Sequence, residues 1–167
     1  MNIGDICTRD VVIADQASSL QQAAALMRQH HVGTLVVVEK STDGAQAVGI
    51  VTDRDMVIEA IARGLDVTEI EIGRLTDGKV AALPCGATID DAIATMKKQG
   101  VRRLLVSGEG GRLFGIVSLD DLLGALAQEM SEVAHAVRSG IERETAERPA
   151  LPSVEARAVR IPAFCVA

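Results

Sequence analysis

The chain carries the same segment twice, and this internal repeat limits its possible folds more than any other feature. Residues 49–58 read GIVTDRDMVI and residues 115–124 read GIVSLDDLLG. Upstream, residues 19–38 align with residues 88–107 at an offset of 69, which falls to 66 after the next loop. Loops accept insertions at low cost, so we assign the three extra residues to the loop at 41–44.

Both copies predict the same order of elements. Apolar residues at i, i+3, i+4 and i+7 indicate an amphipathic helix, formed by Leu20, Ala23, Ala24 and Met27 in one copy and Ile89, Ala92, Ile93 and Met96 in the other. Two apolar runs then predict strands, and a second helix begins directly after the hydroxyl residue. In the first copy this helix is expected to stop near Gly64, which suits a C-terminal cap.

One such unit, of roughly 60 residues, buries too little apolar surface to be stable alone. We therefore expect an α/β fold in which two repeats, each a small sheet with two helices, pack around a shared interface with pseudo-twofold symmetry.

Composition narrows the cellular setting and the partners. The net charge of -6 argues against general attraction to nucleic acid or a membrane surface. Phe114 and Phe164 are the only aromatic residues, so the core must be aliphatic. Cys7, Cys85 and Cys165 lack a C-x-x-C spacing, which is typical of reduced thiols. With no signal-peptide pattern and no apolar run of membrane-spanning length, we expect a soluble cytoplasmic protein.

The repeated phrase allows two interpretations. Thr52-x-x-Asp55 and Ser118-x-x-Asp121 have the spacing of a helix capping box, as do Ser19-x-x-Gln22 and Thr88-x-x-Asp91. A strand that runs into a helix also leaves free N–H groups that favour an anion, and an Asp there can accept hydrogen bonds from a ribose diol. Spacing alone leaves both interpretations open.

Taken together, these motifs resemble a tandem pair of CBS domains, or Bateman module, in a stand-alone protein. The module is named after cystathionine beta-synthase and is also found in IMP dehydrogenase and the gamma subunit of AMP-activated protein kinase. The distinctive motifs are GIVTDRD in the first copy, and VRRLLV followed by GIVSLDD in the second. We place the repeats at 2–66 and 70–127, a helical extension at 128–140 and a flexible tail at 141–167.

The resemblance implies a regulatory sensor that binds an adenine nucleotide and needs no further cofactor. AMP, ADP, ATP and S-adenosylmethionine are the candidate ligands. In the family the Asp holds the ribose, the hydroxyl residue holds ribose or phosphate, and adenine lies between aliphatic side chains and backbone. The implied binding residues, in two clefts between the repeats, are Val12, Ile50, Thr52, Arg54, Asp55, Ala81, Arg102, Arg103, Ile116, Ser118 and Asp121.

The two implied clefts are unequal. Arg102 and Arg103 offer positive charge for phosphate, whereas Gly33 and Thr34 stand at the aligned positions of the first copy. Arg54 is a further phosphate contact or, equally well, a solvated residue at a helix start.

Catalysis and metal binding have little support in the sequence. His30 and His31 are adjacent on a helix, so they point in different directions, and a helix-end position explains them better than a metal site. The pairs Asp90-Asp91 and Asp120-Asp121 lie at helix starts, where acidic residues are common. We find no nucleophile with an assembled base and expect no enzyme activity.

The final helix carries an apolar seam with alternating steps of four and three, formed by Leu119, Leu123, Leu126, Met130, Val133 and Val137. We expect it to pack on another helix, in a homodimer or on a protein partner, although it could fold back on its own domain. After Gly140 the chain is charged, and Pro149, Pro152 and Pro162 prevent a continuous helix. The alternative function is a ligand-free interaction module that acts through dimerisation and this helix.

Overall fold

The computed structural model describes residues 1–41, 44–76 and 80–148. Each copy of the repeat forms a three-stranded sheet in which the first two strands are parallel and the last two antiparallel. The strands of the first sheet are β1 (Ile13–Asp15), β2 (Thr34–Ser41) and β3 (Gly44–Thr52). Those of the second are β4 (Ala82–Pro84), β5 (Arg103–Ser107) and β6 (Leu113–Ser118).

Five α-helices accompany the sheets within the described residues: α1 (Ile3–Ile6), α2 (Leu20–His30), α3 (Asp53–Asp55), α4 (Ile89–Gln99) and α5 (Leu119–Glu147). Capping boxes open α2 and α4, in which Ser19 pairs with Gln22 and Thr88 with Asp91 as their spacing predicts. The predicted α/β class is confirmed. No helix in the described part of the chain is long and apolar enough to cross a membrane.

The second helix of the first repeat differs from the regular helix that was expected. After α3 the chain continues as a π-helix, Met56–Ile61, in which the N–H of Ala62 donates to the carbonyl of Val57 at 2.9 Å. The turn closes at Gly64, as predicted, with φ of 65° and an N–H donated to the carbonyl of Ile61. The wider turn keeps Met56 and Ala60 buried.

The three extra residues of the first copy lengthen its hairpin, so their assignment to a loop was wrong. Val38 pairs with Ala47, and the ladder continues with Glu39, Lys40 and Ser41. In the second copy the equivalent pair, Ser107 and Leu113, instead encloses a short connection with a 3-10 turn at Glu109–Gly111. In the extra ladder, backbone N–H and C=O groups bond to each other, whereas in a loop they would have to bond to water. The predicted loop residues 42 and 43 lie outside the described ranges.

The last helix is longer than predicted. α5 runs to Glu147, so residues 141–147 of the predicted flexible tail are helical. Gly140 costs a helix about 1 kcal/mol, but good helix formers follow it, and Glu144 forms an i,i+4 ion pair with Arg148 at 2.7 Å. The helix ends just before Pro149, which disfavours helical backbone in the preceding residue. The predicted tail beyond 148 lies outside the described residues.

Each repeat completes its core with a segment from outside its own sheet. α1 adds Ile3, which is fully buried among Ile89, Leu104 and Leu122 of the second repeat. Residues 70–75, from the second repeat, pack in the opposite direction, because Ile72 is fully buried in the core of the first repeat.

Backbone hydrogen bonds fix this exchange. Ile3 donates to the carbonyl of Ala87 at 2.9 Å, and Ile72 donates to that of Ser18 at 2.9 Å. Ile3 and Ile72 are related by the same offset of 69 as the helices, and each is followed by glycine. The repeat therefore extends to the segments that cross between the two halves.

The exchange makes a testable prediction about stability. Replacing Ile3 with Ala removes a fully buried side chain from the second repeat, and Ile72→Ala does the same in the first. Each substitution should lower the free energy of unfolding by about 2–5 kcal/mol in urea denaturation. Ile13→Ala is the control, because Ile13 is 50% exposed and should cost little. An Ile3 variant as stable as the Ile13 control would contradict the exchanged arrangement.

Candidate functional site

A third apolar cluster joins the two sheets. Val36 and Val38 of β2 and Leu105 of β5 are buried together. Partly buried neighbours pack around them, and these are Val11, Ala47, Ile50, Val80 and Ile116. Members of this cluster line two clefts, which we name the Asp55 cleft and the Asp121 cleft after their acidic residues.

The Asp55 cleft has a volume of about 310 Å³, at the lower end of the range of about 300–1,000 Å³ typical of small-molecule sites. The structure brings together here seven of the predicted binding residues, Ile50, Thr52, Arg54, Asp55, Ala81, Arg102 and Arg103. Five further residues were not predicted, Gly49, Leu75, Thr76, Val80 and Val101. Both repeats therefore contribute to this cleft.

The Asp121 cleft is smaller, with a volume of about 240 Å³. It contains the other four predicted residues, Val12, Ile116, Ser118 and Asp121, and Arg103 lines it as well. Seven lining residues were not predicted, Thr8, Asp10, Val11, Val32, Gly33, Thr34 and Val36. Thr34 and Gly33 occupy here the repeat positions that Arg103 and Arg102 occupy in the Asp55 cleft.

The hydroxyl and acid of the repeated phrase form complete capping boxes in both clefts. Oδ2 of Asp55 accepts hydrogen bonds from the N–H of Thr52 at 2.8 Å and its hydroxyl at 2.7 Å. Oδ2 of Asp121 accepts the same pair from Ser118, also at 2.8 and 2.7 Å. The predicted capping boxes are thus confirmed, and the ribose interpretation stays a prediction. In the described part of the chain, Oδ1 of each aspartate accepts no hydrogen bond, so it can still accept one from a ligand.

A third box of the same kind lies outside both clefts. Oδ2 of Asp91 accepts from the N–H of Thr88 at 3.0 Å and from its hydroxyl at 2.7 Å. The hydroxyl, followed by the N–H, lowers the pKa of the Asp91 carboxyl from its ordinary value. The cap alone therefore does not make a binding site. What distinguishes Asp55 and Asp121 is the cleft that each of them lines.

Glycine opens both repeated phrases because the exchanged segments pass close to it. A Cβ on Gly115 would lie 2.7 Å from the carbonyl oxygen of Thr8 and 2.8 Å from Sγ of Cys7. A Cβ on Gly49 would lie 2.5 Å from Cγ2 of Thr76. Thr8 and Thr76 in turn line the Asp121 and Asp55 clefts. The exchange that completes each core therefore also builds a wall of each cleft.

The two clefts differ in charge. Among the residues that the structure describes, Arg54, Arg102 and Arg103 line the Asp55 cleft with one aspartate, whereas Asp10, Asp121 and Arg103 are the charged residues of the Asp121 cleft. Within residues 1–41, 44–76 and 80–148 the salt bridges involve other cations, Lys40, Arg63 and Arg148. The arginines of the Asp55 cleft are thus not neutralised by a described carboxylate and can attract an anion.

Asp10 is the charged residue that sequence reasoning missed. It lies in the N-terminal segment of the first predicted repeat, 2–66, but its equivalent at the offset of 69 is Lys79, so the repeat itself gave no signal for an acid there.

No group of three His, Cys, Asp or Glu side chains in the described ranges is placed to hold a metal ion. His30 is the last residue of α2, and His31 is its left-handed C-cap with φ of 54°. Cys7 and Cys85 are free thiols, and burial raises the pKa of Cys7 above its ordinary value.

Comparison with known proteins agrees with the repeat and the fold. The CBS-domain family matches the chain twice, at residues 3–61 and 72–128. The chain belongs to the CBS-domain family. Its two CBS domains correspond to the two copies of the repeat, so the predicted tandem pair is confirmed.

Several relatives are similar over most of the CBS pair. The CBS domain-containing protein YhcV of Bacillus subtilis is 31% identical over 147 residues, which cover 86% of this chain and 96% of YhcV. MK0525 of Methanopyrus kandleri is 28% identical over 123 residues, or 74% of this chain, and the match spans 61% of MK0525.

A third relative also has a solved structure. Hypoxic response protein 1 of Mycobacterium tuberculosis is 33% identical over 118 residues, which cover 71% of this chain and 80% of that protein. A crystal structure of Hypoxic Response Protein I with two coordinated zinc ions has a TM-score of 0.62 and 31% identity. It covers 74% of this chain and 97% of that chain.

Because the three capping boxes have the same geometry, we expect Asp55, Asp91 and Asp121 to contribute equally to stability. Asp55→Ala, Asp91→Ala and Asp121→Ala each remove the carboxylate that caps a helix start. Each should lower the free energy of unfolding by about 1 kcal/mol in chemical denaturation, because a capping interaction contributes about that much. A loss several times larger for Asp55 or Asp121 than for Asp91 would contradict an equal capping role.

Proposed function

We propose that this CBS pair is a regulatory sensor that binds an adenine nucleotide in the clefts between its repeats and signals to a protein partner. The single observation that carries the proposal is the composition of the Asp55 cleft. Three features converge there from both repeats: an acid with one oxygen that accepts no hydrogen bond from described residues, an aliphatic wall, and three arginines without described carboxylate partners.

The chemistry of this cleft matches the parts of a nucleotide. Oδ1 of Asp55 accepts no hydrogen bond from the described residues, so it can accept from a ribose diol while Oδ2 keeps the cap. Ile50 and Val80 offer apolar surface to a base, so an aromatic side chain is not required. Arg102 and Arg103 supply the charge that phosphate oxygens need.

Ligand binding would be coupled to the arrangement of the repeats. A nucleotide that contacts Asp55 from one repeat and Arg102 from the other favours conformations in which the two lie close together. The ligand shifts this equilibrium only by its difference in affinity for the two arrangements. In the Asp121 cleft, Asp121 belongs to the first turn of α5, so a ligand there contacts the helix that carries the apolar seam.

The seam of α5 supports the signalling part of the proposal. Met130 is 74% exposed and Val133 is 65% exposed, and Val137 and Ile141 are exposed as well. Exposed apolar residues at this spacing are typical of a helix that packs on another helix. We propose a homodimer or a protein partner as its occupant. The same observation favours the alternative function, an interaction module with no physiological ligand.

A thermal-shift titration distinguishes the sensor from the ligand-free module. ATP, ADP, AMP and S-adenosylmethionine should be tested on the wild type and on Asp55→Ala, with Asp91→Ala as the matched control that loses the same cap outside the clefts. At a ligand concentration of 100 Kd the wild type should gain about 2.7 kcal/mol of stability. For ATP and ADP the control should keep this gain, and Asp55→Ala should lose most of it.

Two results would contradict the sensor. One is the absence of stabilisation by any of the four compounds at millimolar concentration. The other is an equal loss of affinity in Asp91→Ala and Asp55→Ala, because the aspartate would then act only as a cap. We propose binding without turnover, so phosphate release from ATP that depends on Asp55 would also contradict the account.

A further inference from the structure

The two clefts have opposite charge although they occupy equivalent positions in the repeat. Among described residues, three arginines and one aspartate give the Asp55 cleft a formal charge of +2. Two aspartates and one arginine give the Asp121 cleft a formal charge of -1. Arg103 lines both clefts, so the difference arises from Arg54 and Arg102 in one and Asp10 in the other.

The difference follows from substitutions between the copies. Arg102 aligns with Gly33 at the offset of 69, so the Asp121 cleft lacks a cation at that position. Arg54 aligns with Asp120 at the offset of 66, which reverses the charge in the first turn of the helix. Asp10 gives the Asp121 cleft a second carboxylate beside that of Asp121.

Charge and size together separate the ligands that the clefts can hold. The net positive charge of the Asp55 cleft attracts a triphosphate, and the net negative charge of the Asp121 cleft repels it. The difference in electrostatic energy grows with the number of phosphate charges. The Asp121 cleft nevertheless keeps the features that suit a nucleoside, namely the Asp121 carboxylate, Ser118 and an aliphatic wall that includes Ile116. It is also the smaller of the two.

We propose that the two clefts select different adenosine compounds. The Asp55 cleft binds an adenosine polyphosphate, and the Asp121 cleft binds an adenosine compound without phosphate groups, either neutral or cationic. This division rests on the proposed function, because it assumes that both clefts accept adenosine. Arg103 strengthens the division because it lines both clefts. A polyphosphate in the Asp55 cleft that binds Arg103 makes the one described cation of the Asp121 cleft unavailable to a second ligand.

Isothermal titration of the full chain with ATP and with adenosine, in the absence of divalent cations, tests the division. Asp121→Ala leaves the Asp55 cleft as the intact site, and there ATP should bind at least about tenfold more tightly than adenosine. Asp55→Ala leaves the Asp121 cleft as the intact site, and there the order should reverse, with adenosine the tighter ligand. S-adenosylmethionine should follow adenosine because it has no phosphate group and its sulfonium is cationic.

Charge reversal at Asp10 tests the cause. Asp10 is exposed, so Asp10→Lys introduces a cation at the Asp121 cleft without disturbing the core. In the Asp55→Ala background it should raise ATP affinity about tenfold and leave adenosine affinity nearly unchanged. Glu109→Lys is the matched control, because it makes the same change in net charge at an exposed position outside both clefts.

The contradicting results separate this inference from the proposed function. If both variants prefer ATP equally, or if Glu109→Lys raises ATP affinity as much as Asp10→Lys, the division between clefts is wrong while nucleotide binding stands. If neither ATP nor adenosine binds wild-type protein at millimolar concentration, both proposals fail.

Discussion

The burial of two exchanged isoleucines completes both cores of this protein. Ile3 lies in the core of the second repeat and Ile72 in the core of the first, and both are fully buried. Each brings its chain segment across the face of a repeated phrase, close enough that only glycine fits at Gly49 and Gly115. The same segments carry Thr8 and Thr76 into the clefts. The packing that makes two small units stable therefore also creates the concave surfaces between them.

Capping and ligand binding are compatible functions of one carboxylate. In each cleft the acid uses Oδ2 for the helix start, and Oδ1 accepts no hydrogen bond from described residues. The cap fixes the side chain in one rotamer, so the second oxygen is oriented before a ligand arrives and little rotamer entropy remains to be lost on binding. The third box at Asp91 has the same geometry without a cleft. A capping motif thus becomes a candidate site only where the fold places a concave surface beside it.

Local signals in the sequence were sufficient for much of this structure. The boxes at Ser19 and Thr88 and the apolar faces of α2 and α4 depend on neighbours within one or two turns, so spacing alone predicted them. The duplicated phrase likewise predicted the two sheets, and the resemblance to CBS domains implied the eleven residues that line the two clefts. Whether those residues bind a nucleotide remains a prediction.

The features that the sequence did not predict depend on tertiary packing and strand pairing rather than on local spacing. Which half receives Ile3 is decided by long-range packing that adjacent residues do not encode. The π-helix at Met56–Ile61 buries Met56 and Ala60 in tertiary contacts that helix propensity does not report. The three extra residues of the first copy extended a hairpin because strand pairing satisfied their backbone groups. Asp10 was missed because of such long-range packing, since its position in the Asp121 cleft depends on the segment that crosses between the repeats.

A crystal structure of the full chain grown with ATP would show directly whether the Asp55 cleft binds a nucleotide. We expect a nucleotide in the Asp55 cleft, with a ribose hydroxyl within hydrogen-bonding distance of Oδ1 of Asp55 and the phosphates beside Arg102 and Arg103. The Asp55–Thr52 cap should persist in the complex. ATP bound away from both clefts, or an empty Asp55 cleft at saturating ATP, would contradict this expectation.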